Sequence, residues 1–181
     1  MSIETLAPAG EQLEGQELYE RQKALRAGQS FLPGPTIVAA GLQVSENIGA
    51  VLRLADAVGT PQVIFVNEAA PDLTRIRRTS RSTETLVRWA RYTPAEFLER
   101  ASSFQPLIAL ELTTTSASIF EVELPTVCAF VIGSEKHGVP ASLLSQCQQA
   151  VHIPMFGVNG SMNVTHALAV ALFEWRRQHL E

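Results

Sequence analysis

Three short segments of the chain combine glycine with polar side chains that could hold a ligand or handle a proton. The first, GLQVSENIGAVLRLADAVG (41–59), contains Asn47 and Arg53. The second, GSEKHGVP (133–140), contains Glu135 beside Lys136 and His137. The third, MFGVNGSMNVTHALA (155–169), places Ser161 and Asn163 after Gly157 and Gly160. Glycine lets backbone approach a ligand closely, amides and hydroxyls orient it, and a guanidinium grips phosphate. Each segment also has a plain structural explanation: Asn47 helps cap a helix while Arg53 is solvated, 133–140 is a charged turn, and Ser161 with Asn163 is an N-cap. Asn47 and Arg53 lie six residues apart and so do not share a helical face, although a long arginine reaches well beyond its own position. Neither G-x-x-x-x-G-K-[ST] nor G-x-G-x-x-G occurs, so a P-loop nucleotidase and an ordinary dinucleotide enzyme both fit poorly. Three polar loops, each after a buried strand, point to one composite site.

The elements that must position these loops follow from hydrophobic patterning. Strands are expected at 36–40, 62–66, 85–90, 106–112, 127–132 and 150–154, and helices at 46–58, 94–102, 140–148 and 162–178, with a weaker one at 72–79. Ser45 is placed to cap the helix starting near Glu46, and Pro140 to start the helix after the second loop. In the last helix Val164, Leu168, Ala171, Leu172 and Trp175 form one apolar stripe. Short apolar strands alternating with helices indicate an α/β fold, a mostly parallel sheet flanked by helices. Ligands of such sheets bind beyond the carboxyl ends of the strands, where the three loops fall. An N-terminal arm, 1–35, carries a helix expected at 11–27 that Gly28 can end, and FLPGP (31–35) joins it to a body at 36–181.

The 181 residues suit one domain with an arm, and 46% hydrophobic content is enough for a core. Residues 1–20 have five glutamates, no base and no long apolar run, so no secretory signal is expected, nor is a membrane span. A cytoplasmic protein follows, with Cys128 and Cys147 as reduced, partly buried thiols. His137, His152, His166 and His179 fall at no metal-ligand spacing, and no metal is expected.

The net charge of −4 argues against a broadly basic nucleic-acid binder. It averages the acidic arm with a basic strip, however. Arg75, Arg77, Arg78, Arg81, Arg88 and Arg91 stand against one acid, Glu84, with Trp89 and Tyr92 as possible stacking faces. Any single arginine there reads as a solvated charge; six together suit RNA contact.

The segments NIGAVLRLADAVG, FVIGSEKHGVP and IPMFGVNGSMNV resemble, in order, the three motifs of the SpoU/TrmH RNA 2′-O-methyltransferases, of the wider SPOUT class. The resemblance spans about residues 36–178. It implies a sheet whose C-terminal segment threads a trefoil knot, an exception to the rule that chains avoid knots. It also implies S-adenosyl-L-methionine as cofactor, tRNA or rRNA as substrate, and a homodimer with active sites at the subunit interface. Carried over residue by residue, Asn47, Arg53, Glu135, Ser161 and Asn163 would form the catalytic set, with Arg53 as the usual base candidate. Leu110, Gly133, Glu135, Ile153, Met155, Ser161, Met162 and Asn163 would hold the cofactor. Glu111 and His166 depart from the family pattern, where smaller residues are common. Guanidinium groups deprotonate only above about pH 12. Arg53 is therefore expected to grip phosphate and act electrostatically rather than take a proton. The alternatives are a non-catalytic RNA-binding protein on the same fold, and a small-molecule methyltransferase that the arginine strip disfavours.

Overall fold

The structure, a computed structural model, describes residues 9–28, 30–70 and 73–180. It divides into two compact units, Met1–Leu32 and Pro33–Glu181. In the first, helix α1 (Gly15–Arg26) has no buried residue and ends with Lys23 and Arg26 in its last turn, where cations suit the helix dipole.

The second unit is built on seven strands: β1 (Thr36–Ala40), β2 (Val63–Val66), β3 (Trp89–Tyr92), β4 (Leu107–Leu110), β5 (Ala117–Ser118), β6 (Ala129–Ile132) and β7 (Gln149–His152). They form one sheet in the order β3-β2-β1-β6-β4-β7-β5, and every pairing is parallel. Alternate residues of each strand feed two cores. Ile37, Phe65, Phe130 and Ile132 pack on one side with α2 (Ser45–Val58) and α7 (Val164–Gln178). Val38, Ile64 and Val131 pack on the other with Phe97 of α5 (Pro94–Arg100) and Leu143 of α6 (Ala141–Leu144). Burial on both faces explains why these strands read as continuous apolar runs instead of alternating ones. The expected α/β architecture with helices on the sheet is therefore present.

Of the expected stripe, helix α7 buries Leu168, Ala171, Leu172 and Trp175 completely and leaves Val164 half-buried against the same core, and it packs against α2. Its far end is tied down by polar bonds. The Trp175 indole N–H donates to the Pro125 carbonyl at 2.8 Å, and Gln178 accepts from Leu124 N at 2.9 Å while donating to Val122 O at 3.0 Å. Buried Glu174 accepts hydrogen bonds from Arg177 and Gln178, and chiefly the Arg177 contact holds its carboxyl below the usual range.

Helix α3 (Leu73–Ser80) closes directly on α2 at Gly49. A Cβ there would stand 2.7 Å from the Thr79 Cβ and 2.8 Å from its carbonyl carbon. The Thr79 hydroxyl lies 3.1 Å from the Ser45 carbonyl and 3.0 Å from that of Ile76. The basic strip is thereby fixed beside the first motif.

Several expected boundaries differ. The strand expected at 85–90 begins only at Trp89, because Thr83–Leu86 turns into a short helix, α4. There Thr83 Oγ1 donates to Ser80 O at 2.6 Å, and Ser80 is bonded to the Glu84 carboxylate. Local side-chain bonds outweighed the β-branched composition. The helix expected at 140–148 ends at Leu144, since Gln148 leads into β7 alongside β4: its N–H donates to Leu107 O at 3.0 Å and its side chain accepts from Leu107 N at 2.7 Å. Ser45 is not a cap but the first residue of α2, whose N-cap is Val44 with no side-chain bond. Strand β5, two residues long, carries too little pattern to be seen in the sequence. Cys128 and Cys147 are free, and burial pushes their thiols up to about 12 and about 11, so both stay protonated near neutrality.

Replacing Gly49 by alanine gains up to ~1 kcal/mol of helix propensity but forces overlap with the Thr79 backbone, which costs about 1–3 kcal/mol. Gly49→Ala is expected to lower the thermal midpoint by a few degrees; a midpoint that rises shows that α3 does not press on α2 in solution.

Candidate functional site

The three loops converge at the carboxyl end of the sheet. The strand ends of β4, β6 and β7 open onto a cavity of about 240 Å³. Leu110, Gly133, Glu135, Ile153, Met155, Ser161 and Met162 all line it, so seven of the eight positions expected to hold a cofactor share one space. Asn163, the eighth, does not line it but caps α7 at its edge. The second loop owes its shape to two glycines. A Cβ on Gly133 would overlap the backbone of Gly138 and Val139, and Ser134 and Gly138 exchange backbone hydrogen bonds of 2.9 and 3.2 Å across the turn. Only glycine fits so close an approach.

The polar residues of the three motifs are joined in one directed chain. Asn163 Oδ1 accepts from Thr165 N at 2.8 Å and from Thr165 Oγ1 at 2.6 Å, the expected N-cap. Its oxygen being committed, its Nδ2 donates to Asn47 Oδ1 at 3.4 Å. Asn47 in turn has its Nδ2 left, and this donates to Glu135 Oε1. The cap of α7 thus sets the orientation of both amides, so that donors run toward the carboxylate. Asn47 is buried, whereas Glu135, Ser161 and Asn163 are exposed at the mouth.

Arg53 is not brought into this group. It is exposed on α2, does not line the cavity, and has no hydrogen-bond or ion-pair partner among the described residues. In the basic strip Arg77, Arg78, Arg81 and Arg88 are exposed, and the side chain of Arg75 lies outside the described residues. Arg91 is half-buried, and its Nη1 donates to the carbonyls of Asn67 at 2.9 Å and Glu68 at 3.1 Å. The stacking faces expected at Trp89 and Tyr92 are occupied. Trp89 packs edge-on against Phe65 with its indole N–H on Glu84 O, and Arg100 covers the Tyr92 ring at 5.3 Å. Both aromatics sit on β3, whose two faces meet different cores: Trp89 packs against one and Tyr92 against the other, so each is half-buried.

Sequence reasoning noted Glu111 only as a departure and did not place His152. Both line the cavity. The Glu111 carboxylate accepts from Val139 N at 2.9 Å, which clasps the end of β4 to the glycine turn. His152 Nδ1 lies 3.0 Å from Ser116 Oγ, tying β7 to the 113–116 turn. Spacing carries no signal for either, since the partners lie 28 and 36 residues away. Among the described residues no group of three or more His, Cys, Asp or Glu could hold a metal.

The family model described as SpoU rRNA Methylase matches residues 34–173, which spans all three loops. The chain belongs to that family. Among its relatives, a Thermus thermophilus "tRNA (guanosine(18)-2′-O)-methyltransferase" is 30% identical over 154 residues, covering 82% of this chain and 77% of the relative. A Pasteurella multocida "23S rRNA (guanosine-2′-O-)-methyltransferase" is 32% identical over 150 residues, covering 80% of this chain but 60% of the relative. The chain thus spans about three fifths of that longer protein. In fold it is similar to an AdoMet-bound rRNA methyltransferase from Sinorhizobium meliloti, with a TM-score of 0.74 over 84% of this chain and 63% of the other, at 22% identity.

The Asn47–Glu135 bond is open to a direct test. Asn47→Asp, of equal size, sets two carboxylates face to face and should destabilise the protein at pH 7, and Glu135→Gln should relieve much of that loss. A double-mutant cycle in urea is expected to give a coupling of at least about 0.5 kcal/mol; additive effects would mean that the two side chains do not meet.

Proposed function

We propose that the chain is an S-adenosyl-L-methionine-dependent RNA methyltransferase acting on a ribose 2′-OH of tRNA or rRNA. The observation that carries this reading is that the second and third motifs line one cavity, to whose mouth the first is joined by the Asn163–Asn47–Glu135 chain. The relatives' names give the reaction class, and the neighbouring AdoMet-bound structure supports the cofactor. The cavity fits such a cofactor by its chemistry. Leu110, Ile153, Met155 and Met162 offer apolar and soft sulfur surface to an adenosine and a thioether-like chain, while Ser134, Ser161 and Glu111 offer polar groups for its hydroxyls and charged end. When bound, it supplies an electrophilic methyl group on a sulfonium.

The protein's own residues then have three tasks. The glycine turn and strand ends hold the donor still, and alignment alone can account for ~7–11 kcal/mol of barrier. The directed amide chain keeps the Glu135 carboxylate at the mouth, where it can accept a hydrogen bond from an incoming hydroxyl. Arg53, without a partner among the described residues, grips a backbone phosphate and stabilises negative charge as it develops on the 2′-oxygen. Arg77, Arg78, Arg81 and Arg88, with Arg75 and Arg91, contact RNA further out.

A homodimer is the working unit under this reading. Phe156 and Val158, 95% and 105% exposed in the third loop, are apolar side chains that a second copy would cover. The dimer also gives Arg53 a route to a cavity that it does not line in its own chain. The course of the chain supports the trefoil knot: it leaves β6 between β1 and β4, runs through α6 to β7 beyond β4, and returns as α7 to α2. An RNA acceptor accords with a cytoplasmic setting, and among the described residues no helix is long and apolar enough to cross a membrane.

Calorimetric titration with S-adenosyl-L-methionine is expected to show binding, which a non-catalytic RNA-binding protein on this fold has no need of. Arg53→Ala should retain that affinity and lose at least about 100-fold in methyl transfer, with Arg53→Lys between the two, since lysine keeps the charge but not the planar fork. Turnover at the wild-type rate in Arg53→Ala would remove Arg53 from the reaction.

A further inference from the structure

Glu111 puts a carboxylate into the wall of the cavity, immediately after the last residue of β4, where it is half-buried. Its Oε2 accepts from Val139 N at 2.9 Å, and its Oε1 accepts from Leu112 N at 3.2 Å. The glycine turn makes room for it: a Cβ on Gly138, whose φ is +64°, would overlap the carboxylate. Backbone thus fixes both oxygens, and no cationic side chain among the described residues pairs with them.

Clasping Val139 N needs only one neutral acceptor. An ionised carboxylate has two oxygens side by side with about four acceptor sites and no donor of its own. The backbone uses one site on each oxygen, so each keeps another. A half-buried charge with unfilled sites costs free energy, whereas hydrogen bonds to a charged acceptor are stronger than neutral ones. The open sites therefore suit a ligand that brings two neighbouring donors. A nucleoside cofactor has such a pair in the vicinal hydroxyls of its ribose, and the other candidate donor is the ammonium of its amino-acid end. The place of the carboxylate favours the ribose. In parallel α/β sheets an acid near a strand end, beside a glycine turn that the ligand approaches closely, is a known means of holding a ribose hydroxyl. Glu111 has that place, at the end of β4 and against Gly138. Glu135, which also lines the cavity, stands on the other arm of the turn and is bonded to Asn47 at the mouth, on the acceptor side.

We propose that Glu111 is the residue by which this chain recognises the ribose of its cofactor, its two oxygens accepting hydrogen bonds from the 2′- and 3′-hydroxyls. The proposal rests on the reading of the chain as an S-adenosyl-L-methionine-dependent methyltransferase and names a specificity-determining residue of that same site.

The test is calorimetric titration of four ligands into the full chain and into Glu111→Ala and Glu111→Gln. The ligands are S-adenosylhomocysteine, its 2′-deoxy and 3′-deoxy analogues, and 5′-methylthioadenosine, which keeps the ribose but lacks the amino-acid end. The wild type is expected to bind each deoxy analogue at least about tenfold more weakly than S-adenosylhomocysteine, as loss of a charge-assisted hydrogen bond implies. In Glu111→Ala that discrimination should fall below about threefold, and the variant should lose as much affinity for 5′-methylthioadenosine as for S-adenosylhomocysteine. Glu111→Gln, which keeps an acceptor for Val139 N, should discriminate to an intermediate degree, and it decides the question if Glu111→Ala does not fold. A carboxylate that only clasps the turn would weaken all four ligands alike and leave the discrimination intact. A deoxy analogue that binds the wild type as tightly as S-adenosylhomocysteine overturns the proposal, as does discrimination unchanged in the folded variants. So does a Glu111→Ala loss that vanishes with 5′-methylthioadenosine, since the carboxylate then holds the ammonium. If S-adenosylhomocysteine itself does not bind the wild type, the cofactor reading fails and the proposal falls with it.

Discussion

The docking of α7 on α2 is the contact on which the rest of the site depends. Trp175, Leu172 and Leu168 are wholly buried against the core that α2 also covers, and side chains of this size each contribute roughly 1.5–3 kcal/mol when removed from water. Apolar packing has no direction of its own, but here it fixes the start of α7 within hydrogen-bonding reach of the first turn of α2. Asn163, bound to cap its helix, then has only its amino group to offer, and the orientation passes through Asn47 to Glu135. The Glu135 carboxylate is in this way aimed by a helix cap two hydrogen bonds away from it and far from it in sequence.

The parallel sheet supplies the second constraint. Every strand points the same way, so every strand-to-helix loop emerges at one end, and glycine at 41, 133 and 138 lets those loops crowd together. The crowding produces the cavity. It also localises charge: the chain as a whole is acidic, yet α3, carrying the exposed Arg77 and Arg78, is pressed onto α2 through Gly49 and Thr79 beside the first motif.

Much of this was legible in the sequence, and the limits have physical causes. Buried strands and the stripe on α7 were visible because burial on two faces, or on one helical face, forces a pattern on residue types. The cavity-lining positions from Leu110 to Met162 came only through the resemblance to the SpoU/TrmH family; glycine and strand ends by themselves pointed no further than to a composite site in these loops. Side chains that act across the fold were not legible. Glu111 meets Val139 and His152 meets Ser116 only because β4, β6 and β7 lie together, and nothing local announces such pairings. The packing of Trp89 on Phe65 and of Arg100 over Tyr92 was illegible for the related reason that an aromatic beside arginines looks the same in sequence whatever its ring meets. The helix at Thr83–Leu86 formed where threonine and serine side chains bonded local backbone, a competition that β-propensity ignores.

The central claim is that this chain places methyl groups on RNA ribose, and the most direct measurement is a map of 2′-O-methyl groups in tRNA and rRNA from cells with and without it. The account predicts that at least one defined nucleotide loses its methyl group when the chain is absent and regains it when the chain is restored. Identical maps in the two kinds of cell would contradict it.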